Sequence, residues 1–217
     1  MPSTGIILSG CGVNDGTEIH EAVITLLCLE QKKSDISFFA PDMNQSVVID
    51  HTTGNPTTES RNIKIESARI SRGKTQELSM ADPEEIDALI LPGGTGAVRN
   101  LSKIAENPGQ AQVNENLKNL ILKMHSMKKP IGAISISPII IAAILSDFSS
   151  ELTTGNDINT AQLIKSFNCI HRECNATDIC FDEKNLIVTT PGYMLAKNTA
   201  QVYEGISKLV DKIFELI

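Results

Sequence analysis

Three strand-end segments of this chain, two of them glycine-bearing, carry residue types that could do chemistry: Ser9-Gly10-Cys11-Gly12, Pro92-Gly93-Gly94-Thr95-Gly96 and Ile134-Ser135-Ile136-Ser137-Pro138. Each closes a short apolar run and precedes a helical pattern. Glycine at such a junction lets a ligand approach the backbone, and the free N–H groups of the next helix attract anions. Any one of these segments alone reads as an ordinary strand-to-helix turn. The second lacks the three-glycine spacing and downstream acid of a dinucleotide fingerprint, and no Lys-Ser or Lys-Thr follows a glycine loop.

Ser135 sits where an apolar strand meets a helix, the setting of a nucleophile elbow that lifts one side chain above a sheet. A serine hydroxyl needs a base within hydrogen-bond reach, because the free alcohol is nearly unreactive at neutral pH. The four histidines are His20, His51, His125 and His171. Spacing places none of them beside Ser135. His20, in Glu18-Ile19-His20-Glu21, follows the end of the first strand and is the best-placed base, whereas His125 falls on a mostly polar helix and reads as a surface residue. Cys169, His171, Cys174 and Cys180 form a Cys/His cluster without the paired knuckles of a structural zinc site. They read as small packing residues, and no metal site is expected.

The elements that must position these groups alternate. Ile6 to Leu8, Ile36 to Ala40, Ala88 to Leu91, Ile131 to Ile134 and Leu186 to Thr189 are short apolar runs that read as buried strands. Between them, Glu18 to Glu30, Asn114 to Met127, Asp157 to Phe167 and Leu195 to Leu216 show helical periodicity. Ser137-Pro138 opens another helix, with proline in the first turn where its missing N–H costs nothing. Pro83 to Ile86 reads as a short helix start, and Val47 to Gln76 as a turn-rich hairpin excursion. All-apolar strands alternating with helices imply a parallel sheet covered on both faces. One α/β domain spanning residues 1–217, with the excursion around 43–77, is expected.

Composition narrows the function classes. The chain has 217 residues with 19 Lys+Arg against 26 Asp+Glu, a formal charge of −7 that disfavours a phosphate-reading surface. Hydrophobic residues make up 41% but aromatics only 4%, so the core must be aliphatic. Five cysteines without framework spacing argue for a reducing compartment. The N-terminus has no basic region before an apolar run, and Ile131 to Leu145 is interrupted by Gly132, Ser135, Ser137 and Pro138. A soluble cytoplasmic protein with no membrane and no nucleic-acid partner is expected.

Longer stretches carry a family resemblance. Ser9-Gly10-Cys11-Gly12-Val13-Asn14-Asp15-Gly16-Thr17-Glu18-Ile19-His20-Glu21 resembles the opening of the ElbB proteins, named for enhanced lycopene biosynthesis. Phe39-Ala40-Pro41-Asp42, Thr58-Glu59-Ser60-Arg61-Asn62, Leu91-Pro92-Gly93-Gly94, Asn100-Leu101-Ser102 and Val188 to Ala196 continue the match over nearly the whole chain. The resemblance implies the PfpI-like superfamily, relatives of class I glutamine amidotransferase domains, with a flavodoxin-like three-layer sandwich and commonly a homodimer. It also implies a cofactor-independent glyoxalase activity that converts methylglyoxal or glyoxal to a hydroxy acid. A small carbonyl or anionic metabolite is then the expected partner.

By the same resemblance, Glu21 matches the superfamily's helix carboxylate, with Glu18 the near alternative. Gly93 and Gly94 match the oxyanion-binding backbone with Ile136 beside the elbow, and Gly10, Cys11 and Gly12 border the pocket. The superfamily's elbow cysteine falls on Ser135. A cysteine there can be a thiolate at neutral pH, whereas a serine hydroxyl stays protonated. Three readings follow: a glyoxalase-like enzyme weakened or altered by Ser135, a non-catalytic metabolite-binding protein, or an amidase-type acyl transfer that needs a histidine in contact with Ser135. Cys11 is a possible substitute thiol.

Overall fold

The computed structural model describes residues 1–108, 110 and 112–217. In chain order its strands and α-helices are β1 (Ser3–Ile7), α1 (Ile19–Gln31), β2 (Asp35–Ala40), α2 (Ile63–Ile70), β3 (Thr75–Glu77), β4 (Ala88–Leu91), α3 (Gly96–Arg99) and α4 (Glu115–Ser126). Then follow β5 (Ile131–Ile134), α5 (Pro138–Ile144), β6 (Glu151–Leu152), α6 (Ile158–Ser166), β7 (Ile170–His171), β8 (Cys180–Asp182), β9 (Ile187–Thr190) and α7 (Thr199–Leu216).

Among the described residues, seven strands form one sheet in the order β3-β2-β1-β4-β5-β9-β8, parallel except for the antiparallel β8–β9 pair. A separate parallel pair joins β6 to β7. Successive strand side chains point to opposite faces, so an all-apolar strand must be covered on both. Ile7, Phe39, Leu89 and Leu91 face a core closed by α4, α5 and α6. Their neighbours Ile6, Phe38, Ala88 and Ile90 face a second core closed by α1, α2 and α7. The result is the expected three-layer sandwich with a mainly parallel sheet.

Strand order reverses between β1 and β4, because the chain builds outward through β2 and β3 on one side and through β5 and β9 on the other. Ligands of open parallel sheets bind at such a switch point, beyond the carboxyl ends of the strands. The loops after β1, β4 and β5 meet there.

Some local expectations differ from the structure. Pro83 to Ile86 forms a turn rather than a helix, closed by the Glu85 N–H on the Asp82 carbonyl. The closing helix starts at Thr199, capped by Asn198, because Gly192–Met194 forms a separate 3-10 turn. Between 43 and 77 the chain makes antiparallel bridges at Asn44–Asn62 and Ile49–Pro56, and then forms α2 and β3, which periodicity did not signal. His125 is not a surface residue. It is buried, its Nε2 lies 3.0 Å from Asn185 Oδ1, and its ring packs 4.3 Å from Phe148.

Candidate functional site at the elbow

Ser135 follows β5 directly and takes φ +63°. A non-glycine residue in the left-handed region is strained by roughly 1–2 kcal/mol. Neighbouring hydrogen bonds hold it there. The Ser135 N–H donates to the Thr190 carbonyl at 2.9 Å, the Ser137 N–H closes the turn on the Ile134 carbonyl at 3.0 Å, and the Ser137 hydroxyl donates to the Pro92 carbonyl at 2.6 Å. The last bond ties the elbow to the loop after β4.

Helix α1 delivers the carboxylates. Glu18 is its N-cap and accepts the Glu21 N–H at 2.6 Å, so its side chain is occupied in capping. Glu21, one turn on, is fully buried. Its Oε2 accepts the Gly93 N–H and its Oε1 the Tyr193 N–H, both at 2.9 Å. The Glu18 N–H in return donates to the Gly93 carbonyl at 2.9 Å. Of the two acids, Glu21 faces the elbow.

Gly93 shows how tightly this corner is packed. A Cβ there would lie 2.5 Å from Glu21 Oε2, 2.5 Å from Ser135 Cβ and 2.9 Å from Ser135 Oγ. Only a residue without a side chain lets carboxyl and hydroxyl share that space. Burial pushes Glu21 up to about 8; the Glu18 charge adds to the rise, while the Tyr193 and Gly93 N–H groups and the Ser135 hydroxyl oppose it. At neutral pH Glu21 is therefore mostly an un-ionised acid able to donate a proton.

The structure uses some sequence-predicted groups differently. Gly93 spends its N–H on Glu21, so that group is not available to a ligand. Among the described residues, the N–H groups of Gly94 and Ile136 have no acceptor in the protein. Gly10 donates its N–H to Ser67 Oγ at 2.9 Å, and Gly12 donates to the Thr17 carbonyl at 2.9 Å, so both shape the loop after β1. Cys11 is half-buried. Burial and the Glu66 charge push its thiol up, and its charged surroundings are Glu66, Arg69, Asp15 and Arg61 rather than Glu21. It stays a thiol, away from the Glu21 carboxyl.

No histidine meets Ser135 among the described residues. His20 is exposed, with Nδ1 2.9 Å from the Tyr193 hydroxyl and 4.0 Å from Glu18 Oε1. His51 lies over Gly12, accepting the Asn14 N–H at 3.2 Å with Nδ1 directed at the Ile49 carbonyl. His171 Nε2 lies 3.4 Å from the Thr154 N–H, and Cys169 points at the Ala142 carbonyl. The Ser–His arrangement required for acyl transfer is thus not formed. The described residues contain no group of three His, Cys, Asp or Glu arranged to hold a metal ion, and no helix among them is long and apolar enough to cross a membrane.

Two supporting residues escaped sequence reasoning. Tyr193 orients Glu21 through its backbone, which no side-chain pattern announces. Asn100 donates from Nδ2 to the Ser9 and Asp15 carbonyls at 2.8 and 2.7 Å and accepts the Ser46 N–H at 3.1 Å. It locks the loop after β1 in place. Its position in Asn100-Leu101-Ser102 was the available signal.

No family model matches the chain. It is 39% identical over 221 residues to the ES1 protein homolog, mitochondrial, of Rattus norvegicus, covering 97% of this chain and 82% of that one. Identity and coverage are the same for the human glutamine amidotransferase-like class 1 domain-containing protein 3, mitochondrial. The Danio rerio ES1 protein, mitochondrial, is 30% identical over 230 residues, covering 97% of this chain and 84% of that one. These names overturn the cytoplasmic expectation, since all three relatives are mitochondrial proteins. A crystal structure of an isoprenoid biosynthesis protein with amidotransferase-like domain from Ehrlichia chaffeensis superposes with TM-score 0.94 at 34% identity, covering 100% of this chain and 99% of that one. A DJ-1 superfamily protein from Salmonella typhimurium superposes with TM-score 0.59 at 16% identity, covering 99% and 91%, which is likeness of fold.

Proposed function

The chain belongs to the family of ES1 proteins, the glutamine amidotransferase-like class 1 domain-containing proteins, and from that premise we propose that it is an ElbB-like, cofactor-independent enzyme acting on small 2-oxoaldehydes such as methylglyoxal. The observation that carries this reading is the buried Glu21 carboxyl packed with the strained Ser135 across Gly93. A pair held in this way is preorganised for proton transfer at a carbonyl carbon.

The proposed steps balance within the substrate and one water. Glu21, when ionised, takes the Ser135 hydroxyl proton as Oγ adds to the aldehyde carbon, and the Gly94 and Ile136 N–H groups receive the oxyanion. Protonation of that oxygen gives a hemiacetal. Loss of its C1 proton with protonation of the C2 oxygen then forms an enediol, and loss of the C1 hydroxyl proton with return of a proton to C2 leaves a 2-hydroxy ester on Ser135. Water hydrolyses the ester to the 2-hydroxy acid and frees the serine. C1 is oxidised and C2 reduced, so no external oxidant is required.

Two observations favour a second reading. Among the described residues no histidine meets Ser135, and Glu21 is mostly in its acid form at neutral pH. A pocket that binds a small carbonyl or anionic metabolite without turnover fits these facts. Incubation with methylglyoxal and no cofactor, following 2-hydroxy acid, separates the two. Product from the wild type that disappears in Glu21→Gln supports the enzyme. Product only from Ser135→Cys removes native catalysis and leaves the binding reading. We also propose a homodimer, supported by the exposed apolar stripe Ile19, Val23 and Leu27 along α1.

A further inference from the structure

A cavity of about 590 Å³ lies beside the elbow, between α3 with the turn that follows it, the start of α5, and α6. Val98, Ile104, Ile136, Ile139 and Leu163 make its wall largely hydrocarbon. Thr95 and Ile136, which line it, each stand one residue beyond a group of the candidate site, Gly94 and Ser135. Apart from the Ile136 N–H at its edge, none of the proposed chemistry uses this space.

Its charge is one-sided. Arg99 is the only charged side chain among the described lining residues, and it is exposed at the mouth. The ion pairs of the described residues engage Arg61, Arg69 and Arg172 but not Arg99. A mostly apolar concavity of several hundred Å³ bordered by a few polar side chains, here Arg99, Thr95, Asn159, Thr160, Gln162 and Ser166, has the make-up of a small-molecule site. Hydrocarbon gains by leaving water for such a wall, whereas water inside finds few partners there. A guanidinium that forms no ion pair among the described residues is open to a carboxylate, which it can meet with two parallel hydrogen bonds.

We propose that this cavity binds a medium-chain aliphatic carboxylate, with the chain against Leu163, Ile139 and Val98 and the carboxylate on Arg99. The proposal does not rest on turnover at Ser135, since it requires only the wall and Arg99.

The test uses the full chain and three probes: octanoate, 1-octanol with the tail but no charge, and butyrate with the charge but little tail. Melting temperature and amide NMR shifts are followed during titration. Octanoate should raise the melting temperature saturably and move the Val98, Arg99 and Leu163 amides. Octanol and butyrate should each bind at least about tenfold more weakly, the loss of one charge-assisted contact or of several buried methylenes. Arg99→Gln should weaken octanoate about tenfold and leave octanol unchanged. Leu163→Trp should fill the cavity and abolish octanoate binding, and Glu21→Gln should leave it intact. The proposal is overturned if octanoate shifts nothing, if octanol binds as tightly, if the moved amides lie elsewhere, or if a folded Leu163→Trp binds as before. Should Leu163→Trp not fold, the position of the moved amides and the Arg99→Gln comparison decide. Methylglyoxal turnover measured in parallel tells failure here from failure at the elbow.

Discussion

Glu21 Oε2 accepts the Gly93 backbone N–H at 2.9 Å, joining a helix after the first strand to a loop after the fourth. The bond holds a buried carboxyl against the elbow and consumes an N–H that would otherwise face a ligand.

That packing makes Gly93→Ala a sharp test. The added methyl would meet Glu21 Oε2 and Ser135 Cβ at 2.5 Å each. Overpacking of this kind costs about 1–3 kcal/mol, and the carboxyl must leave its place. Calorimetry should show the loss of stability, and any methylglyoxal turnover should vanish with it. A variant as stable and active as the wild type would contradict the geometry.

Strain at Ser135 predicts an ordering of two variants. Ser135→Gly removes the hydroxyl and relieves the φ +63° conformation, while Ser135→Ala removes the hydroxyl and keeps it. The glycine variant should be the more stable by about 1 kcal/mol, or about 2–4 °C in melting temperature for a chain of this size. Both should lack turnover.

The buried Glu21 imposes a pH dependence. Its folded value lies near 8, above the ordinary carboxylate value of 4.5, so between these limits the native state holds a proton that the unfolded state has released. Stability from this group is full below about pH 4.5, falls as pH rises toward 8 and is flat above, with a slope of at most about 1.4 kcal/mol per pH unit. Denaturant titrations of wild type and Glu21→Gln across this window should differ by that slope. If Glu21 is the base, turnover should rise with pH toward 8.

Asn100 predicts a loss of stability away from the reacting groups. Its amide satisfies the carbonyls of Ser9 and Asp15 in a buried setting. Asn100→Ala leaves the Ser9 carbonyl without that donor, at a cost of about 1–3 kcal/mol, while the Asp15 carbonyl keeps the Gln45 Nε2–H. Hydrogen exchange should then quicken in residues 10–17 before it does in the sheet.

The stripe on α1 predicts the oligomer. Val23→Glu with Leu27→Glu should convert a sedimenting dimer to a monomer at equal concentration, with the far-ultraviolet spectrum unchanged. A wild type that sediments as a monomer at all concentrations would remove the dimer.

The strands and the elbow were legible because their signals are local. Ala88 to Leu91 and Ile131 to Ile134 are apolar throughout and stop at glycine or serine turns, which burial on both faces demands. The short edge strand β8 and the β6–β7 pair were not legible, since two or three residues carry no period. His125 misled because helix α4 is polar on average, while this position meets Phe148 and Asn185 from elements that follow later in the chain.

By itself the sequence determined the sandwich and the turns at the strand ends, and the resemblance singled out Ser135 with Glu21 or Glu18 without deciding between the two acids. Tertiary structure alone decided that Gly93 gives its N–H to Glu21, that Tyr193 supplies the second N–H, that no described histidine reaches Ser135 and that Cys11 faces Glu66 instead. The physical reason is range. Burial and turn propensity are read along a few residues, but a hydrogen bond or a shifted proton affinity depends on atoms brought together across 72 or 172 positions of chain.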